Sequence, residues 1–542
     1  MKRLILLSYA LFAVTMSWAA IVLPADFKVH LKNGTSSITF LGSETEMTFN
    51  ADGTVLTISN PNTSFVTSYA VDGIESIEFF EHNEPASGGS LESPAVDVSI
   101  DSADDTSYSE VEEEVITDDT HDDYGDFIEN YAPKNRVTVT YDGAKATVSG
   151  TVSGVTAKVT GAHVLITSSK KNIAYTLKGT ATDGSFKLYS TNKTQITLGG
   201  VNITNPKGAA INIQSGKTML IELADGTTNS LTDGATYTMA TGEDQKGTFF
   251  SEGQLVFSGK GALEVKSNYG HGIVSDDYIR VRDGDITVNS VRDGINTNDR
   301  FLMSGGAITV NAQQDGVDIG KGYIEIGGGK LTVNAVDEGI TASYEGDDAG
   351  NIDSQITPYI YIKGGLVKVT TTGDKGHALR AMSTFTMSGG IVQAVVKGAG
   401  SKALLSEGNM SLADGKVTVF TEGDALYEEE VKDLSSSAGI RSKGVLKVED
   451  MVIGVKSVGT GAKGVNNVGD VVVKNSRVVV VTEGTTHKEN NLDSRSRGVT
   501  ADGNLVLDGG TLEVKSVDEP LLVLGTQTYL NAAVYGGYQM TR

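Results

Sequence analysis

The chain has 542 residues and a formal net charge of −24, from 44 basic and 68 acidic side chains. A surface of that sign repels DNA, RNA and anionic lipid, so no nucleic-acid partner is expected. Gly is abundant at 65, Pro scarce at 8 and Cys absent; this excludes disulfides and cysteine–zinc sites and points to short strands joined by tight turns.

The chain opens with MKRLILLSYALFAVTMSWAA. Lys2 and Arg3 form a basic start, Leu4 to Val14 an apolar run too short to span a membrane comfortably, and Ser17, Ala19 and Ala20 a cleavage site. Residues 1–20 therefore read as a signal peptide, and the protein is expected to be exported to the periplasm, the cell surface or the medium. No later stretch is long and apolar enough for a transmembrane segment. The only Trp, Trp18, lies in this leader. Residues 21–81 alternate apolar and polar side chains, as in "FKVHLKNGTSSITFLG" and "GTVLTISN", and read as a small β-rich segment. Residues 82–134 are acidic, Ser-rich and poor in large apolar side chains, which reads as a flexible linker.

From residue 135 to the end the chain is repetitive. "YIRVRDGDITVN", "RFLMSGGAITVN" and "YIEIGGGKLTVN" begin at Tyr278, Arg300 and Tyr323, and looser copies follow to "NLVLDGGTLEVK" at Asn504. Each unit is a short strand, a glycine-rich bend and a second short strand. Ile279, Phe301 and Ile324 align, as do Ile286, Ile308 and Leu331, so one face of every strand points inward. Asn289, Asn311 and Asn334 also align and can hydrogen-bond along a stack. Gly284, Gly306 and Gly329 fall at bends that call for positive φ. A period of about 22 residues with three short strands is one coil of a parallel β-helix. A β-propeller, with blades of roughly 40–50 residues, fits the register less well. The fold class is all-β.

A second register precedes the third strand of each coil. Gly272, Gly294, Gly316 and Gly339 recur there, each preceded by a polar residue: His271, Asp293, Asp315 and Glu338. Stacked about 4.8 Å apart, two carboxylates repel by roughly 3–4 kcal/mol at an effective dielectric near 20. Raised pKa values, neighbouring cations such as Arg292 and Arg300, or a bound hard cation would each compensate. Asp276, Asp277, Asn298, Asp299, Asp318 and Asp337 supply more oxygens nearby, with Asp347 and Asp348 extending the set. Calcium, which takes six to eight oxygen ligands in loose geometry, suits such a set.

The pattern "DGINTNDRFLMSGGAITVNAQQDGVDI" resembles a family of secreted bacterial proteins, the calcium-binding carbohydrate-binding β-helix family. The likeness runs over residues 138–517. It implies a right-handed, pectate-lyase-like helix, calcium held in turns between coils, and binding of acidic plant polysaccharide or cellulose. Asp293-Gly294 and Asp315-Gly316 match the family's motif, Glu338-Gly339 is a conservative variant, and His271-Gly272 departs from it.

Binding rather than catalysis is thus expected, by a monomer whose partner is an acidic polysaccharide such as polygalacturonate. With Trp confined to the leader, exposed tyrosines must replace it as stacking surfaces. Tyr278, Arg300 and Tyr323, at equivalent strand starts, are the candidate ligand-binding residues. The rival is a polysaccharide lyase or hydrolase drafting Arg280, Arg282, Arg292 or Lys321 as base. "SDD", "NTND" and "YGHG" superficially match polygalacturonase motifs, but in the wrong chain order. A structural surface adhesin is the third reading, and it leaves the acidic column unexplained.

Overall fold

A computed structural model describes residues 21–23, 26–32, 45–50, 52–60, 65–80, 113–344, 346, 349–530 and 532–538. The leader, residues 81–112 of the acidic segment, and Asp347 with Asp348 lie outside the described residues. No described helix is long and apolar enough to cross a membrane.

Among the described N-terminal residues, strands Ile21–Leu23, Thr45–Phe49, Val55–Asn60 and Phe65–Ala70 pair antiparallel into one small sheet, and Asp26–Leu31 pairs with Ile74–Phe80. The rest is a parallel β-solenoid, so the chain is all-β. Its strands form three parallel ladders. The first is a 15-stranded sheet that includes His271–Ser275, Ile295–Thr297, Val317–Ile319 and Ile340–Ala342. The second runs through Tyr278–Val281, Arg300–Met303, Tyr323–Ile326 and Tyr359–Ile362. The third runs through Asp285–Ser290, Ala307–Ala312, Lys330–Ala335 and Leu366–Thr371. The last two merge into a 26-stranded sheet.

Alternation decides what enters the core. Ile279, Phe301, Ile324, Ile286, Ile308, Leu331, Ile295, Val317 and Ile340 are all within 1 % of complete burial, each removing roughly 1.5–3 kcal/mol of apolar side chain from water. Asn311 donates to Asn289 and Asn334 donates to Asn311, both at 2.9 Å. This amide stack carries no charge. The register steps are 22 and 23 residues in these coils. Elsewhere they lengthen: Ile340 pairs with Leu379, Leu404 with Ile440 and Val465 with Val499. Two of the insertions carry antiparallel hairpins, Leu426–Glu428 with Asp433–Ser435 and His487–Glu489 with Leu492–Ser494.

The two glycine columns do different work. Gly284, Gly306 and Gly329 adopt φ of 113°, 74° and 76°, as the bends between second and third ladders require. Gly272, Gly294, Gly316 and Gly339 do not have positive φ, so they are not needed to make the turn. A Cβ there would collide with Val288, Val310, Val333 and Val369 of the third ladder, and with a carbonyl of the next coil. This column is glycine because the chain passes against its own core. The next coil solves the problem differently: Ala378 stands in register with Gly339, and Ala394 with Val369.

Residues 113–134, expected to be part of a flexible linker, form an ordered strap on the solenoid. Two short 3₁₀ turns, Asp122–Asp126 and Ile128–Asn130, set Phe127 fully buried against it. The Tyr131 hydroxyl donates toward the carbonyl of Ile173 at 3.0 Å and accepts from its N–H at 2.9 Å. Charge alone favours a solvated chain, but a buried aromatic and matching arginines reverse the balance.

Candidate functional site

The first-ladder corner brings His271, Asp293, Asp315 and Glu338 into one column. The hydrogen bonds show how it is built: the Asp315 N–H donates to Asp293 Oδ1 at 3.2 Å, and the Glu338 N–H donates to Asp315 Oδ1 at 2.8 Å. Each carboxylate therefore caps the backbone of the next coil. Asp293 accepts from Asn296 Nδ2 at 3.0 Å and lies 2.9 Å from His271 Nδ1, an approach without hydrogen-bond alignment; the same Asn296 amide reaches Asp318 Oδ2 at 3.1 Å. Arg380 reaches Glu338 Oε1 at 3.1 Å. His271 and Arg380, rather than Arg292 and Arg300, are the basic side chains of this column.

At its centre compensation is incomplete. Asp315, Asp337 and Glu338 each place a carboxylate oxygen within 4.8 Å of the others. Burial, then the charges of Glu338, Asp293 and Asp318, push Asp315 up to about 9. Burial and then Asp337 push Glu338 up to about 7, against the pull of Arg380. These converging hard oxygen donors, part-buried at Asp315 and Glu338 and exposed at Asp337, suit calcium by donor type and by charge.

Asp276, Asp277, Asn298 and Asp299 do not join this cluster. They lie past the other end of the short first-ladder strand, five or six positions from His271 and Asp293, which along an extended strand is roughly 16–20 Å. Asp276 pairs with Lys246 at 2.7 Å, Asn298 donates to the Asp276 carbonyl at 3.0 Å, and Asp299 lies 3.3 Å from Lys321. Asp277 accepts from Gln254, while burial and Asp299 raise its pKa. The expected metal residues thus divide between two places.

Asp277, Asp299 and Lys321 instead border an open groove of ≈ 560 Å³ whose wall includes Tyr278, Arg300 and Tyr323. Parallel register stacks these side chains along the axis. The Arg300 guanidinium lies 4.4 Å from the Tyr278 ring centre and donates to the Tyr323 hydroxyl at 3.2 Å. Tyr323 stacks on Tyr359 with centroids 4.8 Å apart and planes 3° from parallel. Tyr278, Arg300, Tyr323 and Tyr359 therefore stack face to face along the axis, so the ring faces expected to receive a sugar largely cover one another and the column turns its edges to the groove. Tyr278 is committed at its tip, where its hydroxyl donates to Asp126 Oδ1 at 2.6 Å.

The strap engages the two arginines beside this stack. Glu113 contacts both Arg280 and Arg282, Asp123 and Asp126 each lie 3.3 Å from Arg280, and Glu129 lies 2.8 Å from Arg282. Phe127 lies beneath Arg282, 4.0 Å from ring centre to guanidinium. The readable signal was Tyr124, Phe127, Ile128 and Tyr131, a cluster of large apolar groups in an otherwise acidic run.

Comparison with known proteins gives the chain a family. A family model described as carbohydrate-binding domain-containing protein matches residues 160–459, more than half of the chain, and the chain belongs to that family. A carbohydrate-binding domain-containing protein of Acetivibrio thermocellus is 36% identical over 120 residues, which is 21% of this chain and 42% of that protein. The chain thus matches less than half of that relative's length. A solved polysaccharide lyase-like protein from C. thermocellum, a gadolinium derivative, aligns with 24% identity and a TM-score of 0.36, over 58% of this chain and 96% of that one.

Proposed function

We propose that this protein is an exported, non-catalytic binder of acidic polysaccharide that works with calcium. The observation that carries the reading is the Tyr278–Arg300–Tyr323–Tyr359 stack along a groove bordered by Asp277, Asp299 and Lys321. The edges of the stacked rings and guanidinium would pack against sugar rings lying in the groove, and the flanking carboxylates would accept hydrogen bonds from sugar hydroxyls. Arg300 and Lys321 add charge for uronate carboxylates. Asp315, Asp337 and Glu338 would hold calcium at the neighbouring corner. The ion would supply positive charge and open coordination positions for a sugar carboxylate. Two of the basic groups a lyase would draft, Arg280 and Arg282, are occupied by strap carboxylates, which favours binding over elimination.

The test is retention on immobilised polygalacturonate, with calcium and with chelator, while ultraviolet absorbance follows unsaturated products. Calcium-dependent retention without absorbance, weakened by Tyr323→Ala, is expected. Growing absorbance would establish a lyase instead. Retention on cellulose alone would remove the acidic substrate, and no retention on either would leave the adhesin reading.

A further inference from the structure

The acidic column does not end at Glu338. Following the backbone pairing of the first ladder, the same position is next taken by His377, Lys402, Ala438, Lys463 and Arg497. One ridge of the solenoid therefore changes sign along its axis. Its positive half is unusual in a chain with 24 net negative charges.

Lys402 is only 8 % exposed. Its ammonium donates to the Gly400 carbonyl and to Ser435 Oγ, both at 2.7 Å, and among the described residues no carboxylate lies within ion-pair distance. The nearby Glu428 is taken by Lys375 at 3.2 Å. Lys463, two coils on, reaches Ser494 Oγ at 3.5 Å. Arg441, on the intervening strand three positions beyond the ridge residue Ala438, has no ion pair among the described residues. Ser435 and Ser494 come from the two inserted hairpins, which shelter the lysines. Burial and Arg441 hold the Lys402 ammonium down to about 7, and burial with Arg497 and Arg441 hold Lys463 down to about 8.

A second observation points the same way. Thr500, next to Asn466 in the ladder, is 5 % exposed, and its hydroxyl has no hydrogen-bond partner. Thr500 shares the register position of Arg441, two coils on, so an unmatched hydroxyl and an unpaired guanidinium lie in one column beside the lysines' ridge.

We infer that Arg441, backed by the sheltered Lys402 and Lys463 of the neighbouring ridge, binds carboxylates of a polyuronate chain lying along the solenoid axis. The inference rests on the acidic-polysaccharide reading above and adds a second contact to it, one that needs no metal. Arg441 offers the planar fork for a carboxylate, and the lysines add charge on either side. The acidic half of the ridge would need calcium as a bridge; the basic half would take the sugar directly.

The experiment uses the full chain with hexagalacturonate as probe and chelator present, followed by calorimetry and by the ammonium resonances of labelled lysine. Salt-sensitive binding is expected, weakened about tenfold or more by Arg441→Gln and restored in part by Arg441→Lys, with the Lys402 and Lys463 resonances moving on titration. No binding in chelator, while calcium-dependent retention on polygalacturonate persists, would overturn the ridge and spare the groove. Equal binding by wild type and Arg441→Gln, with static lysine resonances, would do the same. If Tyr323→Ala has no effect and Arg441→Gln still abolishes binding, the groove assignment fails and the ridge stands. Matching melting curves establish that the variants are folded.

Discussion

Replacing Asp315 with Asn is the sharpest probe of the acidic column. The amide keeps the oxygen that accepts the Glu338 N–H and removes the charge. With chelator present, the folded wild type holds the Asp315 proton to about pH 9, whereas an unfolded Asp loses it near 3.9. Between those values the folded state binds more protons, so stability falls as pH rises through the window. At about 1.4 kcal/mol per pH unit, the wild type has lost roughly 4 kcal/mol by pH 7. An independent route agrees: two carboxylates at strand spacing and an effective dielectric near 20 repel by about 3.5 kcal/mol. Asp315→Asn should therefore stabilise the chelated protein by roughly 3–4 kcal/mol at pH 7 and by almost nothing at pH 4. It should also remove most of the stabilisation that calcium gives the wild type. Urea unfolding at both pH values, with calcium and with chelator, measures all four corners. A variant less stable than wild type in chelator at pH 7, or one that keeps the full calcium gain, would refute the reasoning.

Gly294→Ala should cost about 1–3 kcal/mol by overpacking, because the new Cβ meets Val310. Adding Val310→Ala should recover part of that loss, as Ala378 and Ala394 do in their own coil; thermal melts of both variants decide it. Phe127→Ala removes a fully buried ring and should open the strap by about 3–5 kcal/mol. Hydrogen exchange over residues 113–131 should rise while the first-ladder amides stay protected, and uniform loss of protection would show that the strap is part of the global fold. Lys402 has the opposite linkage to Asp315. Its folded pKa is lowered to about 7, so the unfolded state binds more protons above that value and stability rises with pH toward 10.5. Lys402→Met should therefore stabilise the anion-free protein at pH 6 and lose that advantage by pH 10, as denaturant midpoints would report.

The central coils were legible because their period is constant. With steps of 22 and 23, aligned letters are aligned atoms, so the core positions and the Asn stack follow from spacing alone. The same reasoning placed Asp293, Asp315 and Glu338 in one column. It misplaced Asp276, Asp277, Asn298 and Asp299, because five or six residues of sequence look close while an extended strand carries them away from the corner. Tyr278, Arg300 and Tyr323 were found by register, but the Asp126 contact at the tip of Tyr278 depends on a strap more than 150 positions earlier. The positive half of the ridge was hidden for a related reason. Insertions before residues 359, 438 and 497 break the period, and only backbone pairing restores the alignment of Glu338 with His377, Lys402 and Lys463.

A parallel ladder brings equivalent residues to strand spacing whether or not they attract. A column of asparagines satisfies itself, since each amide is both donor and acceptor. A column of one charge cannot, and its repulsion grows with every coil that repeats the residue. Solenoids can avoid the cost by alternating sign between coils, as Tyr278–Arg300–Tyr323 does with a cation between two rings and Arg497–Glu519 does at 2.7 Å. The Asp293–Asp315–Glu338 run forgoes that alternation over successive coils, whereas on the basic half the neutral Ala438 stands between Lys402 and Lys463. On the function proposed above, repetition of like charge would separate a ligand-bearing corner from a structural one in this fold. The two halves of the ridge, opposite in sign, call for ligands of opposite sign: a metal cation and the anion that it would bridge.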